Sequence, residues 1–177
     1  MDPFERLGLE KRLAISEEEL REAFRTAGKQ QHPDAGGSGD GFSALQEAFG
    51  RLLSPSKRIK AWMECRGIRG EDRGAISSGL LDLFAKVGSA LQQADTVTKQ
   101  REAAKSILGK ALLETAVQSA RESLEAVLEE ISAAIREEEA KFPVLEAGEG
   151  DPSLVARDLA FLEKWQAELK ARFAGLW

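Results

Sequence analysis

Residues 16–34 read SEEELREAFRTAGKQQHPD, and residues 42–66 read FSALQEAFGRLLSPSKRIKAWMECR. Ser16 and Glu19 have the S-x-x-E spacing of a capping box, in which each side chain accepts an N–H that the first helical turn leaves unbonded. Glu17, Glu18 and Glu19 also favour the positive end of the helix dipole. Leu20, Ala23, Phe24 and Ala27 then recur at helical spacing and form a stripe to be buried. Arg21, Arg25 and Lys29 fall at i, i+4 and i+8, a basic row along the same helix. The helix stops at His32-Pro33-Asp34, because a proline disfavours helical geometry in the residue before it. Ala35 to Gly41 is a polar, glycine-rich loop. Phe42, Leu45, Phe49 and Leu52 or Leu53 make a second stripe, so the two helices pack antiparallel. Ser54-Pro55 breaks that helix, and Ser56 to Arg66 forms a further one with Lys57, Arg58 and Lys60 on it.

Working outward, Pro3 to Leu9 reads as a short helix with proline in its first turn and Gly8 at its end. Gly67, Gly70, Gly74 and Gly79, with Ser77 and Ser78, mark a linker. Beyond it, Leu80, Leu81, Phe84, Val87 and Leu91 make an amphipathic helix. Asp95-Thr96 is expected to cap the next, running to about Phe142, near 68 Å at about 1.5 Å per residue. Val117, Ala120, Leu124, Val127, Ile131 and Ala134 alternate three and four apart, the pattern of a coiled-coil seam. Pro143 and Gly148 to Pro152 form a turn. Val155, Leu159, Leu162, Leu169, Phe173 and Leu176 line a last helix. The expected fold is all-α: a helical hairpin with two short helices over residues 1–67, a linker over 68–77, and a three-helix bundle or long helical hairpin over 78–177.

Composition agrees and excludes several functions. Ala and Leu number 26 and 22, against 6 Val, 7 Ile, 4 Thr and no Tyr among the 177 residues, which favours helix over strand. One cysteine, Cys65, excludes an internal disulfide and a Cys-rich zinc site. One histidine, His32, excludes a multi-histidine metal centre, and any Ser-His-Asp or Cys-His chemistry would have to use it. No apolar run approaches the roughly 20 residues of a membrane span, and the start Met1-Asp2-Pro3-Phe4-Glu5 has no signal-peptide pattern, so a cytoplasmic protein is expected. The net charge of −5 and pI of about 5.2 argue against nucleic-acid binding. Neither a cofactor nor an enzymatic activity is expected.

The layout of residues 2–67 resembles the J-domain (DnaJ-like), the module of co-chaperones that stimulates the ATPase of DnaK-type heat-shock chaperones. Besides His32-Pro33-Asp34, Arg21, Phe24 and Arg25 match the family's basic and aromatic positions on its second helix. Phe42 opens the facing helix, Ala48-Phe49 stands for the usual Ala-Tyr, and Lys57-Arg58 for a Lys-Arg pair. The resemblance implies a chaperone-binding site of His32, Pro33, Asp34, Arg21, Arg25, Lys29, Lys57 and Arg58. The basic row would dock on the chaperone's nucleotide-binding domain, and the tripeptide would engage the contact between that domain and its linker. Gln31 replaces the family's tyrosine, and Thr26 and Gln30 replace basic residues, so a thinner basic face and weaker docking are expected.

The overall plan is similar to the HscB type, the co-chaperones of iron–sulfur cluster assembly, which join an N-terminal J-domain to a helical bundle. Met1-Asp2-Pro3-Phe4, Leu7-Gly8-Leu9, Arg58 to Gly67, and Phe161-Leu162-Glu163-Lys164-Trp165 carry this likeness. It implies an iron–sulfur scaffold or another client as second partner. The corresponding helix here reads Leu80-Leu81-Asp82-Leu83-Phe84, in place of a Met-Glu-x-x-Glu-like pattern. Leu80, Leu81 and Phe84 serve either the core or a client surface, and Lys57-Arg58 either docking or helix-end compensation. A different reading is a structural adaptor that self-associates into a homodimer through the coiled-coil seam and uses the J-domain only to recruit the chaperone.

Overall fold

The computed structural model describes residues 2–31, 39–71 and 73–177. It is all-α, with the element order α1 (Pro3–Leu7), α2 (Glu17–Gln31), α3 (Gly39–Leu53), α4 (Pro55–Cys65), α5 (Leu81–Ala103), α6 (Ile107–Glu139), α7 (Phe142–Glu146) and α8 (Pro152–Gly175), and a 3-10 turn at Ser78–Leu80 before α5. Packing divides it into two compact units. Unit 1 comprises Met1–Ala75 and Glu138–Ala160, and unit 2 Ile76–Glu137 and Phe161–Trp177.

In unit 1, local chemistry sets the helix ends. The Asp2 carboxylate accepts the Phe4 N–H at 2.9 Å, Pro3 occupies the first turn, and Gly8 ends α1 at φ 67°, the left-handed geometry that glycine adopts without a Cβ penalty. The Ser16 hydroxyl accepts the Glu19 N–H at 3.1 Å, the expected cap of α2. The Ser54 hydroxyl accepts the Lys57 N–H at 3.4 Å, with Pro55 opening α4. Leu20, Leu45, Ala48 and Leu52 are buried. Phe24 of α2 meets Phe49 and Phe42 of α3, with ring centroids 4.7 Å and 6.1 Å apart. These are the two stripes expected to face each other.

Residues 138–160 pack in unit 1, whereas the expected division groups them with the second half of the chain. Polar contacts hold them there. The Leu13 N–H donates to Glu146 Oε1. The Arg157 guanidinium donates to the carbonyls of Glu71 and Arg73 at 2.9 Å and 3.2 Å, and the Glu71 N–H donates to Ser153 Oγ at 3.2 Å. The expected linker is therefore tied down over this stretch. At Gly74 a Cβ would come within 2.8 Å of the Arg157 guanidinium carbon, so a residue without one lets Arg157 reach these carbonyls.

Unit 2 is a three-helix bundle. Val87, Ala90, Ala94 and Val97 of α5, Val117, Ala120, Leu124, Val127 and Ile131 of α6, and Leu162, Trp165, Leu169 and Leu176 at the C-terminal end form one core. The heptad-like seam is consumed inside this core, where neighbouring helices of the same chain cover it. The helix expected to begin at Asp95-Thr96 does not start there. α5 continues through them to Ala103, and the Thr96 and Thr98 hydroxyls donate back to the carbonyls of Gln92 and Ala94. The break falls at Ala104–Ser106, where the Ser106 hydroxyl accepts the Gly109 N–H at 2.9 Å and caps α6.

Candidate functional site

Arg21, Arg25 and Lys29 lie on the exposed face of α2, opposite Leu20 and Phe24. Arg21 Nε donates to Glu17 Oε1 at 2.8 Å, and Arg25 pairs with Glu22 at 2.5 Å. Solvent-exposed pairs of this kind hold their partners weakly, so both guanidinium groups can exchange these carboxylates for those of another molecule. His32, Pro33 and Asp34, with the loop that follows, lie outside the described residues. By sequence they occupy the connection from the end of α2 at Gln31 to the start of α3 at Gly39.

Lys57 is exposed on the first turn of α4. Arg58, expected on the chaperone-binding face, is instead buried: it is 4% exposed and is an internal fastener. Its Nε donates to the Leu52 carbonyl at 2.8 Å, and Nη1 donates to those of Leu13 and Ile15 at 2.8 Å and 2.9 Å. The guanidinium also lies 5.9 Å from the Phe142 ring centroid. A buried arginine needs an acceptor for each such N–H donor, because a buried charge without hydrogen-bond partners is very unfavourable.

Beside α1, the Asp2 carboxylate sits 2.8 Å from Lys11 Nζ. Burial acts to raise its pKa, but Lys11, the Phe4 N–H and the Cys65 thiol outweigh it and hold the carboxyl below its ordinary value. Burial, and then the negative Asp2, push the Cys65 thiol up to about 11. A thiol so protonated is a poor nucleophile. Among the described residues, no group of His, Cys, Asp and Glu is placed to hold a metal ion.

Unit 2 carries a separate apolar surface. Leu80 is buried, while Leu81 and Phe84 are 57% and 56% exposed. Phe84 lies against Trp165, centroids 5.5 Å apart, and Phe161 lies 5.9 Å from the same indole, tilted by 48°. Phe161, itself exposed, extends the patch and was not among the expected site residues. Its signal was a phenylalanine one position before the buried Leu162, off the buried stripe. Leu80 supplies core packing beneath. Exposed aromatics over a rigid, buried indole are a common anchor pattern in protein interfaces.

No family model and no curated protein matches the chain. Among solved structures it is similar to the chaperone HscB from Vibrio cholerae, with a TM-score of 0.53 and 21% sequence identity, over 100% of both chains. The similarity is one of fold: along its whole length the chain has an HscB-like all-α architecture.

Proposed function

We propose that this protein is a J-type co-chaperone that binds a DnaK-type heat-shock chaperone, stimulates its ATPase and delivers a client held on the bundle. The observation that carries the proposal is the exposed row Arg21, Arg25 and Lys29 on the helix that leads directly into His32-Pro33-Asp34, in a chain with an HscB-like fold. Residues 1–67 act as the chaperone-facing part, residues 68–77 join them to the rest, and the bundle within residues 78–177 faces the client. Cations on α2 attract an acidic chaperone surface over a range set by ionic strength. His32, Pro33 and Asp34 engage the partner as one motif, as the J-domain resemblance implies. Binding then shifts the chaperone toward its hydrolysis-competent state, and the co-chaperone performs no chemistry of its own. Lys57 supplements the row.

The client is held on Leu81, Phe84 and Phe161, and an iron–sulfur scaffold protein is the client type that the HscB-like fold supports. The test is single-turnover ATP hydrolysis by a purified DnaK-type chaperone with and without the full chain. Stimulation that saturates with chain concentration supports the assignment, and an unchanged rate at saturating chain overturns it. Client choice is tested separately, by capture of purified scaffold protein on wild type and on Phe84→Ser.

A further inference from the structure

The tip of the α5–α6 hairpin carries a second apolar surface, remote in sequence from Leu81 and Phe161. Ile107, Leu108 and Leu112 are 90%, 70% and 74% exposed. They lie in the first two turns of α6, where at about 100° per residue Ile107, Leu108, Ala111, Leu112 and Thr115 share an arc of about 140°. The core residues Val117, Ala120 and Leu124 lie on the opposite side of the same helix. The start of α6 thus presents an apolar face on the side opposite the one that the bundle covers farther along the helix. Monomeric proteins seldom leave such a patch without use.

Cations outnumber carboxylates around it. Residues 99–115 carry Lys99, Arg101, Lys105 and Lys110 against Glu102 and Glu114, the latter paired with Arg101 at 3.9 Å, which leaves a local excess of cations in a chain of net charge −5. Lys99, Lys105 and Lys110 are exposed. Farther along the apolar arc the exposed residues become Gln118, Glu122, Glu125 and Glu129. A partner groove that takes a helix along its length needs a stripe that continues, and this one ends at Thr115 in carboxylates. A negatively charged plane fits better, because it attracts the lysines, receives the three apolar side chains, and repels the acidic stretch so that only the tip engages. From this juxtaposition of exposed apolar side chains and lysines at the hairpin tip, we infer that the tip docks the protein on an anionic lipid surface. Among the described residues no helix is long and apolar enough to cross a membrane, so the attachment is peripheral and reversible.

The experiment is flotation of the full chain with vesicles of phosphatidylcholine alone, or of phosphatidylcholine and phosphatidylserine at about 3:1. The chain is expected to float with the anionic vesicles at low salt, to be released as salt rises, and to stay behind with the neutral ones. Ile107→Ser with Leu108→Ser should reduce the bound fraction at least about fivefold, as should Lys105→Glu with Lys110→Glu, while Leu81→Ser floats as wild type. Both double variants change only exposed side chains, and circular dichroism checks that their helicity is retained. No flotation at low salt, equal flotation on neutral vesicles, or wild-type flotation by both double variants overturns the inference. So does conversion of a lipid-free dimer to monomer by the Ile107/Leu108 variant, which would make the tip a contact between copies of the chain.

Discussion

Phe84 of α5 lies 5.5 Å from Trp165 of α8, centroid to centroid and tilted by 39°, while more than half of its own surface faces solvent. The two rings therefore have different jobs. Trp165 is a buried support, and Phe84 is the part a partner can reach. Phe84→Ser is expected to lower client capture at least about tenfold and to change stability by less than about 1 kcal/mol. Trp165→Ala removes a buried aromatic and should destabilise unit 2 by about 3–5 kcal/mol. Client pull-down beside urea denaturation separates the two effects, and a Phe84 variant that unfolds as readily as the Trp165 variant would place Phe84 in the core.

Arg58 and Lys57 are neighbours in the chain with opposite fates. Arg58→Ala removes the guanidinium that donates to the carbonyls of Leu13, Ile15 and Leu52, of which Leu13 keeps the Ile15 N–H, and should cost about 2–4 kcal/mol. Lys57→Ala should change stability by less than about 0.5 kcal/mol. Chemical denaturation of both variants checks this, and equal effects would mean that Arg58 is not the fastener its geometry describes.

Charge reversal on α2 tests the docking row. Arg25→Glu should weaken binding to the chaperone about five- to tenfold at low salt and by less at high salt, with melting unchanged within a few degrees because the side chain is exposed. Titration calorimetry at two salt concentrations reads both. A binding constant unchanged at low salt counts against the row.

The Asp2–Cys65 pair gives a pH signature. Asp2 titrates lower in the folded chain than its ordinary 3.8, so its contribution is present above that value and fades as acid protonates it. Asp2→Asn should be less stable than wild type near neutral pH, with the difference closing below about pH 4. Cys65 is raised from 9.0 to about 11. Its contribution is present below pH 9 and is lost as pH rises through 11, where the unfolded chain gains by ionising first. Iodoacetamide should accordingly modify Cys65 slowly at pH 8 in the folded protein and at an ordinary rate in urea. Rapid modification of the folded protein would contradict this.

Much of the fold was legible where local chemistry and periodicity agree. Ser16 and Glu19 announce the start of α2, Ser54-Pro55 the start of α4, and the alternation from Val117 to Ile131 a buried face of α6. Where two local signals compete, sequence alone misleads. Asp95-Thr96 has capping chemistry, yet the threonine hydroxyl bonds back to Gln92 and the helix runs on, while the less conspicuous Ser106 makes the cap. The reach of Glu146 to Leu13 and of Arg157 to Glu71 and Arg73 spans distant parts of the chain. No periodic pattern encodes such polar contacts, so the place of residues 138–160 in unit 1 was not legible. The candidate site divides the same way. The exposure of Arg21 and Arg25 follows from their position opposite the apolar stripe. The burial of Arg58 depends on three carbonyls brought together by folding.

Activation of a DnaK-type chaperone is proposed to run through His32. The most direct measurement is single-turnover ATP hydrolysis by that chaperone with saturating wild type or His32→Gln, beside circular dichroism and thermal melting of both. The expected result is stimulation by wild type, none by His32→Gln, and the same helicity and melting temperature for the two. Equal stimulation by the variant contradicts that role, as does a large loss of stability, which would make His32 a structural residue.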